Sequence, residues 1–194
     1  MNRAFDIEQG DIDLASEFAE VACEGMHLQG RHHEERFDQV MMGKVAEIAF
    51  KKFCASEGIT VYVDVGIYPG LDGIDESDIF DYQERPLSID IKGLQPNAKH
   101  LLIKCVEAGN AEIYVAVLVS TKHKRAKIEG WLPRKYAVKN AMLAGEKIPG
   151  TNSTLRVDNY VVRLEDIYNR DSDIIDLINQ IKNGKLLKEQ ANGE

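Results

Sequence analysis

Strand-like alternation and ionisable side chains come together in one short segment, Leu87-Ser88-Ile89-Asp90-Ile91-Lys92-Gly93. If the segment is a β-strand, its apolar odd-numbered residues share one face, and Asp90 and Lys92 share the other. A carboxylate and an ammonium group are then held side by side. The alternative is a solvated ion pair on the exposed face of an edge strand.

An acidic stretch, residues 72–81, lies just upstream and is followed by a turn-like connection. A hairpin would bring this stretch beside the strand. If Ile79 shares the core face with the apolar residues of that strand, Asp78 falls next to Asp90, and this is the register that we favour. A slip of one residue would place Asp81 there instead.

Two or three carboxylates that converge beside a lysine suit Mg²⁺, for which Mn²⁺ can substitute. Magnesium is a hard cation that takes oxygen ligands and keeps several waters. Lys92 could then orient a metal-bound water or offset the negative charge that develops on a phosphate. The residue types therefore suit a metal site that acts on a phosphate.

The surrounding pattern predicts the elements that would position these residues. Apolar residues recur at three- and four-residue intervals in a long helix, 36–57, which Gly58 ends. Predicted strands follow at 59–65, 78–82 and 87–92, and a continuously apolar mid-sheet strand at 113–119. Between them, residues 101–106 fit a short helix better than an alternating strand, although the segment is short enough to be a strand. Further strands at 127–132 and 155–164, a helix at 134–143 and a closing helix from 171 complete the pattern. This order predicts an α/β fold with a central mixed sheet flanked by helices.

In combination, Asp78, the triplet Asp90-Ile91-Lys92 and Glu47 on the preceding helix resemble the PD-(D/E)XK nuclease superfamily. The resemblance extends over residues 36–120 and includes the order helix, three strands, helix, strand. It implies a restriction-endonuclease-like fold and a metal-dependent nuclease activity.

The resemblance also implies roles for individual residues. Asp78 and Asp90 would be metal ligands, the backbone carbonyl of Ile91 a further ligand, and Lys92 the catalytic lysine. Glu47 would be the helix-borne acid that tunes the site or binds a second ion, and Gln95 would orient solvent or phosphate. For Glu47, a surface salt bridge to Lys44 or Lys51 is the competing interpretation.

Positive charge is concentrated in one stretch of an acidic chain with a formal net charge of −8. The whole-molecule field would repel a polyanion, so any nucleic-acid surface must be local. The stretch runs from Lys122 to Lys127 and is extended by Arg134 and Lys135, and its positive side chains could hold phosphates without reading sequence. The candidate DNA-binding residues are Lys122, Lys124, Arg125 and Lys127. A merely solvated loop is the equal alternative.

The chain has 194 residues, which predicts a single domain with a core at about 36–133 and a C-terminal extension at 134–194. Its three cysteines have no zinc-like spacing and suit reduced thiols in the cytoplasm. We expect no membrane span, because no apolar run is long enough, and no secretory signal.

We therefore expect a metal-dependent deoxyribonuclease, first of all a restriction-type endonuclease that cuts duplex DNA as a homodimer. A DNA repair or junction-resolving nuclease is the next hypothesis. The competing class is a non-catalytic module that keeps the fold to bind DNA or a protein.

Overall fold

Two β-sheets, one of six strands and one of three, form the framework of the structure, with helices packed on the larger sheet. The structure is a computed structural model that describes residues 3–24, 33–63, 79–80, 88–109 and 111–183. Its strands are β1 (Ala4–Asp6), β2 (Tyr62–Val63), β3 (Ile79–Phe80), β4 (Ile89–Leu94), β5 (His100–Lys104), β6 (Ile113–Ser120), β7 (Arg125–Pro133), β8 (Ala141–Met142) and β9 (Asn159–Arg163). Its helices are α1 (Gln9–Glu24), α2 (His33–Ser56), α3 (Arg134–Ala137) and α4 (Asp171–Asn183), with a 3-10 turn at Leu164–Asp166.

The larger sheet is mixed, with strand order β1-β7-β6-β4-β3-β2. β4 and β6 are parallel, and the other neighbouring strands are antiparallel. The prediction that the apolar run at 113–119 forms a mid-sheet strand is confirmed, because β6 lies between β7 and β4. Its side chains alternate between two cores, with Val115 in one and Tyr114 in the other.

α2 packs on the face of β4 that carries Ile89 and Ile91, where Val45 and Ala49 of the helix belong to the same buried cluster. The helix ends as predicted, since Gly58 adopts a φ of +72° that favours glycine. α4 buries Ile174 and its apolar neighbours in this core as well, so the closing helix packs on the larger sheet.

The smaller sheet has the order β5-β9-β8 and corrects two predictions. Residues 101–106 were expected to form a helix, but residues 100–104 form strand β5, whose buried Leu101 and Ile103 alternate with more exposed residues. The predicted helix at 134–143 is limited to Arg134–Ala137, because the chain then turns to pair β8 with β9. The sheet joins a strand of the predicted core to two strands of the predicted C-terminal extension.

Boundaries shift at β7 and β9, and the short strands β1 and β8 were not predicted. β1 adds to the edge of the larger sheet, where Ala4 pairs with Lys127. Within the described residues, no helix is long and apolar enough to cross a membrane.

Candidate functional site

Asp90 and Lys92 lie side by side on β4, on the face opposite α2. The ammonium nitrogen of Lys92 is 2.8 Å from the Oδ2 atom of Asp90. Their side chains are only 14% and 25% exposed, so the pair is more protected than a typical surface ion pair. The predicted side-by-side arrangement is confirmed, and its chemical role stays a prediction.

A buried tyrosine adjoins this pair. Tyr114 pairs with Asp90 across the parallel ladder between β6 and β4, and its hydroxyl donates a hydrogen bond to the carbonyl of Ala108 at 3.0 Å. Burial raises the pKa of the Tyr114 hydroxyl to about 12, and Asp90 acts in the same direction, whereas Lys92 and Arg134 lower it. The hydroxyl therefore stays protonated at neutral pH.

Two further charged residues, Glu107 and Arg134, lie near the same point. The sequence reasoning missed Glu107 and placed Arg134 only in the basic stretch. A carboxylate oxygen of Glu107 lies 3.8 Å from the ammonium nitrogen of Lys92. Arg134 begins α3, and its guanidinium Nη1 donates a hydrogen bond to the carbonyl of Gly109 at 2.9 Å. The available signal was Tyr114 itself, a side chain with a polar end inside a continuously apolar strand.

Glu47 lies on α2, and therefore on the opposite side of the sheet from the side chains of Asp90 and Lys92. Its Oε2 atom is 2.5 Å from the ammonium nitrogen of Lys44, and the two side chains are 9% and 7% exposed. Lys44 also lies over the ring of Phe18, at 4.1 Å from the centroid. The salt bridge to Lys44 that competed with the metal-site interpretation is thus formed, although it is buried rather than at the surface.

The aspartate predicted to be the first metal ligand, Asp78 or in the alternative register Asp81, lies outside the described residues. The register on which the choice depends is partly visible, because Ile79 pairs with Ile89 as the preferred alignment requires. Ile91 buries its apolar side chain in the core at 3% exposure, and the role of its backbone carbonyl as a metal ligand stays a prediction.

Gln95 follows the end of β4 and lines a cleft of about 450 Å³ between the first half of α2 and the carboxyl ends of β4 and β6. Asp38 and Lys122 line the same cleft. Three residues of extended strand separate Gln95 from Lys92, which corresponds to roughly 10 Å. The structure therefore places Gln95 in this cleft rather than beside Asp90.

The predicted DNA-binding residues lie at the other end of β6. Six residues of strand separate Tyr114, which is level with Asp90, from Ser120, where the turn to β7 begins; this is roughly 20 Å. Lys122 and Lys124 lie in that turn, and Arg125 and Lys127 begin β7. The oppositely charged partners of the last two are Asp6, at 3.7 Å, and Glu129, at 2.8 Å.

The donor set for a metal can be tested on the part of the chain that the structure describes. There, no group of three or more His, Cys, Asp or Glu side chains could hold an ion. Asp90 supplies one carboxylate, and protein sites for Mg²⁺ use one or two carboxylates together with waters. The described residues therefore supply one oxygen donor of the type that Mg²⁺ takes, and magnesium binding stays a prediction.

The chain gives no significant match to a protein-family model, to a curated protein or to a solved structure. The resemblance to the PD-(D/E)XK superfamily consequently depends on the residues and on the order of the elements.

Proposed function

We propose that this chain is a metal-dependent deoxyribonuclease, in the first place a restriction-type endonuclease that cuts duplex DNA. The observation that supports the proposal most is the Asp90–Lys92 pair, with 2.8 Å between its charged atoms and limited exposure. A lysine held against a carboxylate on one strand is the central feature of the resemblance stated above.

The order of the elements is the second support. α2 precedes the antiparallel strands β2, β3 and β4, and β6 then lies parallel to β4 on its other side. The resemblance has the order helix, three strands, helix, strand. The described chain keeps this order except that strand β5 stands where the second helix is expected. A restriction-endonuclease-like fold is thus part of the proposal.

The residues of the chain can perform distinct tasks in phosphodiester hydrolysis. Bound at Asp90, the carbonyl of Ile91 and an acidic residue of the 72–81 stretch, Mg²⁺ would supply Lewis-acid stabilisation of the phosphate. Lys92 would donate hydrogen bonds to a phosphate oxygen or to the attacking water and offset negative charge. Asp90 holds the ammonium in position for this.

A cleavage assay tests the proposal. Supercoiled plasmid, linear duplex, branched and single-stranded DNA are incubated with Mg²⁺ or Mn²⁺, and with EDTA as the metal-free control. We expect cleavage that needs the metal, and about a hundred-fold loss of rate in Asp90→Asn and Lys92→Met. The matched control is Glu129→Gln, because Lys127 and Glu129 form an ion pair with the same two-residue spacing and the same 2.8 Å distance on β7.

Each result has a definite meaning. Cleavage of branched DNA alone would favour a junction-resolving nuclease. Absence of metal-dependent cleavage on every substrate, or a Lys92→Met variant as active as Glu129→Gln, would remove the enzymatic claim. Calorimetry with Mg²⁺ or Mn²⁺ then identifies the non-catalytic module, which should bind neither ion, whereas the nuclease should bind one and lose it in Asp90→Asn.

A further inference from the structure

A basic and aromatic surface lies at the start of α3 and just beyond it, and we call Arg134, Lys135, Tyr136 and Lys139 the α3 cluster. The ammonium nitrogens of Lys135 and Lys139 are 4.9 Å and 4.7 Å from the centroid of the Tyr136 ring. Because both lie within 5 Å of one point, they are no more than about 10 Å apart. The three cations are exposed and the tyrosine is half-buried.

The ring that organises these cations is anchored in the fold. Tyr136 packs edge-on against Tyr168 with 6.1 Å between ring centroids, and Tyr168 packs edge-on against Trp131 at 5.2 Å. The indole nitrogen of Trp131 in turn donates a hydrogen bond to the carbonyl of Asp173, at 2.7 Å. The lysines therefore have a fixed aromatic surface beneath them.

Strand register places the cluster at the same end of the sheet as the Asp90–Lys92 pair. Asp90, Tyr114 and Leu132 are level with one another on β4, β6 and β7, so that Leu132 is roughly 10 Å from Asp90 across two strand spacings. Arg134 follows Leu132 by two residues. It is hydrogen-bonded to Gly109, in the turn whose Glu107 lies 3.8 Å from Lys92.

The cations of the cluster have no carboxylate partner within the part of the chain that the structure describes. None of Arg134, Lys135 and Lys139 lies there within 4 Å of a carboxylate, and of the predicted basic stretch the same holds for Lys122 and Lys124 but not for Arg125 and Lys127. What distinguishes the cluster from Lys122 and Lys124 is its position at the end of the sheet that carries Asp90. In a chain with a net charge of −8, a local group of such cations is what a polyanion needs in order to approach.

We propose that the α3 cluster binds the phosphate backbone of the DNA that the Asp90–Lys92 pair would cut. The inference rests on the proposed nuclease function and names the surface that positions its substrate. It shifts the main phosphate contact from the turn at 122–125 to the end of the sheet that carries Asp90. Phosphate contacts position a duplex and do not read its sequence.

The test is binding of a fluorescein-labelled duplex by the full chain in EDTA, followed by anisotropy at several salt concentrations. In Lys135→Ala/Lys139→Ala we expect at least about ten-fold weaker binding at 0.1 M salt and a slope of log K against log salt reduced by about 2. Lys135→Arg/Lys139→Arg should restore most of both. The charge-matched control is Lys99→Ala/Lys147→Ala, two exposed lysines outside the cluster.

Several outcomes would overturn the inference. These are unchanged affinity and slope in the alanine variant, an equal loss in the charge-matched control, and a larger loss in Lys122→Ala/Lys124→Ala. An equal loss for labelled poly-glutamate would show general attraction of polyanions and would also overturn it. If the wild type cleaves DNA in a metal-dependent way but the alanine variant binds DNA normally, the nuclease proposal holds and the role of this surface is refuted. If the alanine variant loses binding as expected but the wild type cleaves no DNA, the cluster is a DNA-binding surface and the nuclease proposal is refuted.

Discussion

An alanine at Gly93 should push β4 and α2 apart. A Cβ atom added there would lie 2.5 Å from the carbonyl oxygen of Met42, 2.9 Å from its carbonyl carbon and 3.1 Å from the backbone nitrogen of Gly43. Ordinary contacts begin near 3.4 Å, so the two elements must separate by about 0.9 Å at this point. All three neighbours are backbone atoms, which cannot rotate away as a side chain could.

The expected cost follows from this displacement. Overpacking of a close contact typically costs about 1–3 kcal/mol, and we expect the upper half of this range because only backbone can yield. Urea unfolding followed by far-UV circular dichroism measures it as a midpoint lowered by about 1 M, for a slope near 2 kcal/mol/M. Gly43→Ala is the matched control on the facing helix. A Cβ atom there meets nothing within 4 Å, so the better helix propensity of alanine should stabilise the protein by up to about 1 kcal/mol.

The two substitutions should thus have opposite signs across one contact. If Gly93→Ala unfolds at the wild-type midpoint, or Gly43→Ala is destabilised equally, α2 does not pack on β4 as described. Because Gly93 directly follows Lys92, cleavage activity in Gly93→Ala should fall by a larger factor than its folded fraction explains.

Two smaller predictions concern buried groups. Tyr114→Phe removes the hydrogen bond to Ala108 and should cost about 1 kcal/mol at neutral pH. Since the folded pKa of Tyr114 is raised from its ordinary value near 10 to about 12, the wild type should also lose stability as pH rises through this window. Urea titrations at pH 9 and 11.5 should show this loss in the wild type and a smaller one in Tyr114→Phe. Burial, and then Glu57, raise the pKa of the Cys54 thiol to about 12, so a disulfide reagent at pH 8 should modify it after unfolding in guanidinium and not before. Modification of native Cys54 at the unfolded rate would contradict its burial.

Elements with a strong local pattern of apolar residues could be predicted from the sequence. The strand at 113–119 is a continuous run of apolar and β-branched residues, which suits only a position covered on both faces. α2 repeats its apolar residues over six turns before Gly58 stops it. In both elements, the local preference of the residues and their burial in the folded domain favour the same secondary structure. The sequence pattern alone is therefore enough to predict it.

β5 shows why other elements could not be predicted. Its pairs of apolar residues at 101–102 and 105–106 are compatible with a helical face, and five residues are too few to decide. The strand is fixed by its partner, since Leu101 pairs with Val162 some sixty residues further along the chain. Pairing at that distance leaves no local signal.

The candidate site also has one part that the sequence predicts and another that it does not. Asp90 and Lys92 meet within one strand, and strand alternation alone is enough to predict their contact. Arg134 reaches the same end of the sheet only through the registers of β4 with β6 and of β6 with β7, and the second register shifts at the irregularity between Ala116 and Val117. The dense positive charge of the sequence is centred on the turn at 122–125, which the same registers carry to the opposite end of the sheet from Arg134 and Lys135 of the same stretch. Which of these cations lie at the end of the sheet that carries Asp90 and Lys92 is therefore determined by strand pairing, which local charge density does not reveal.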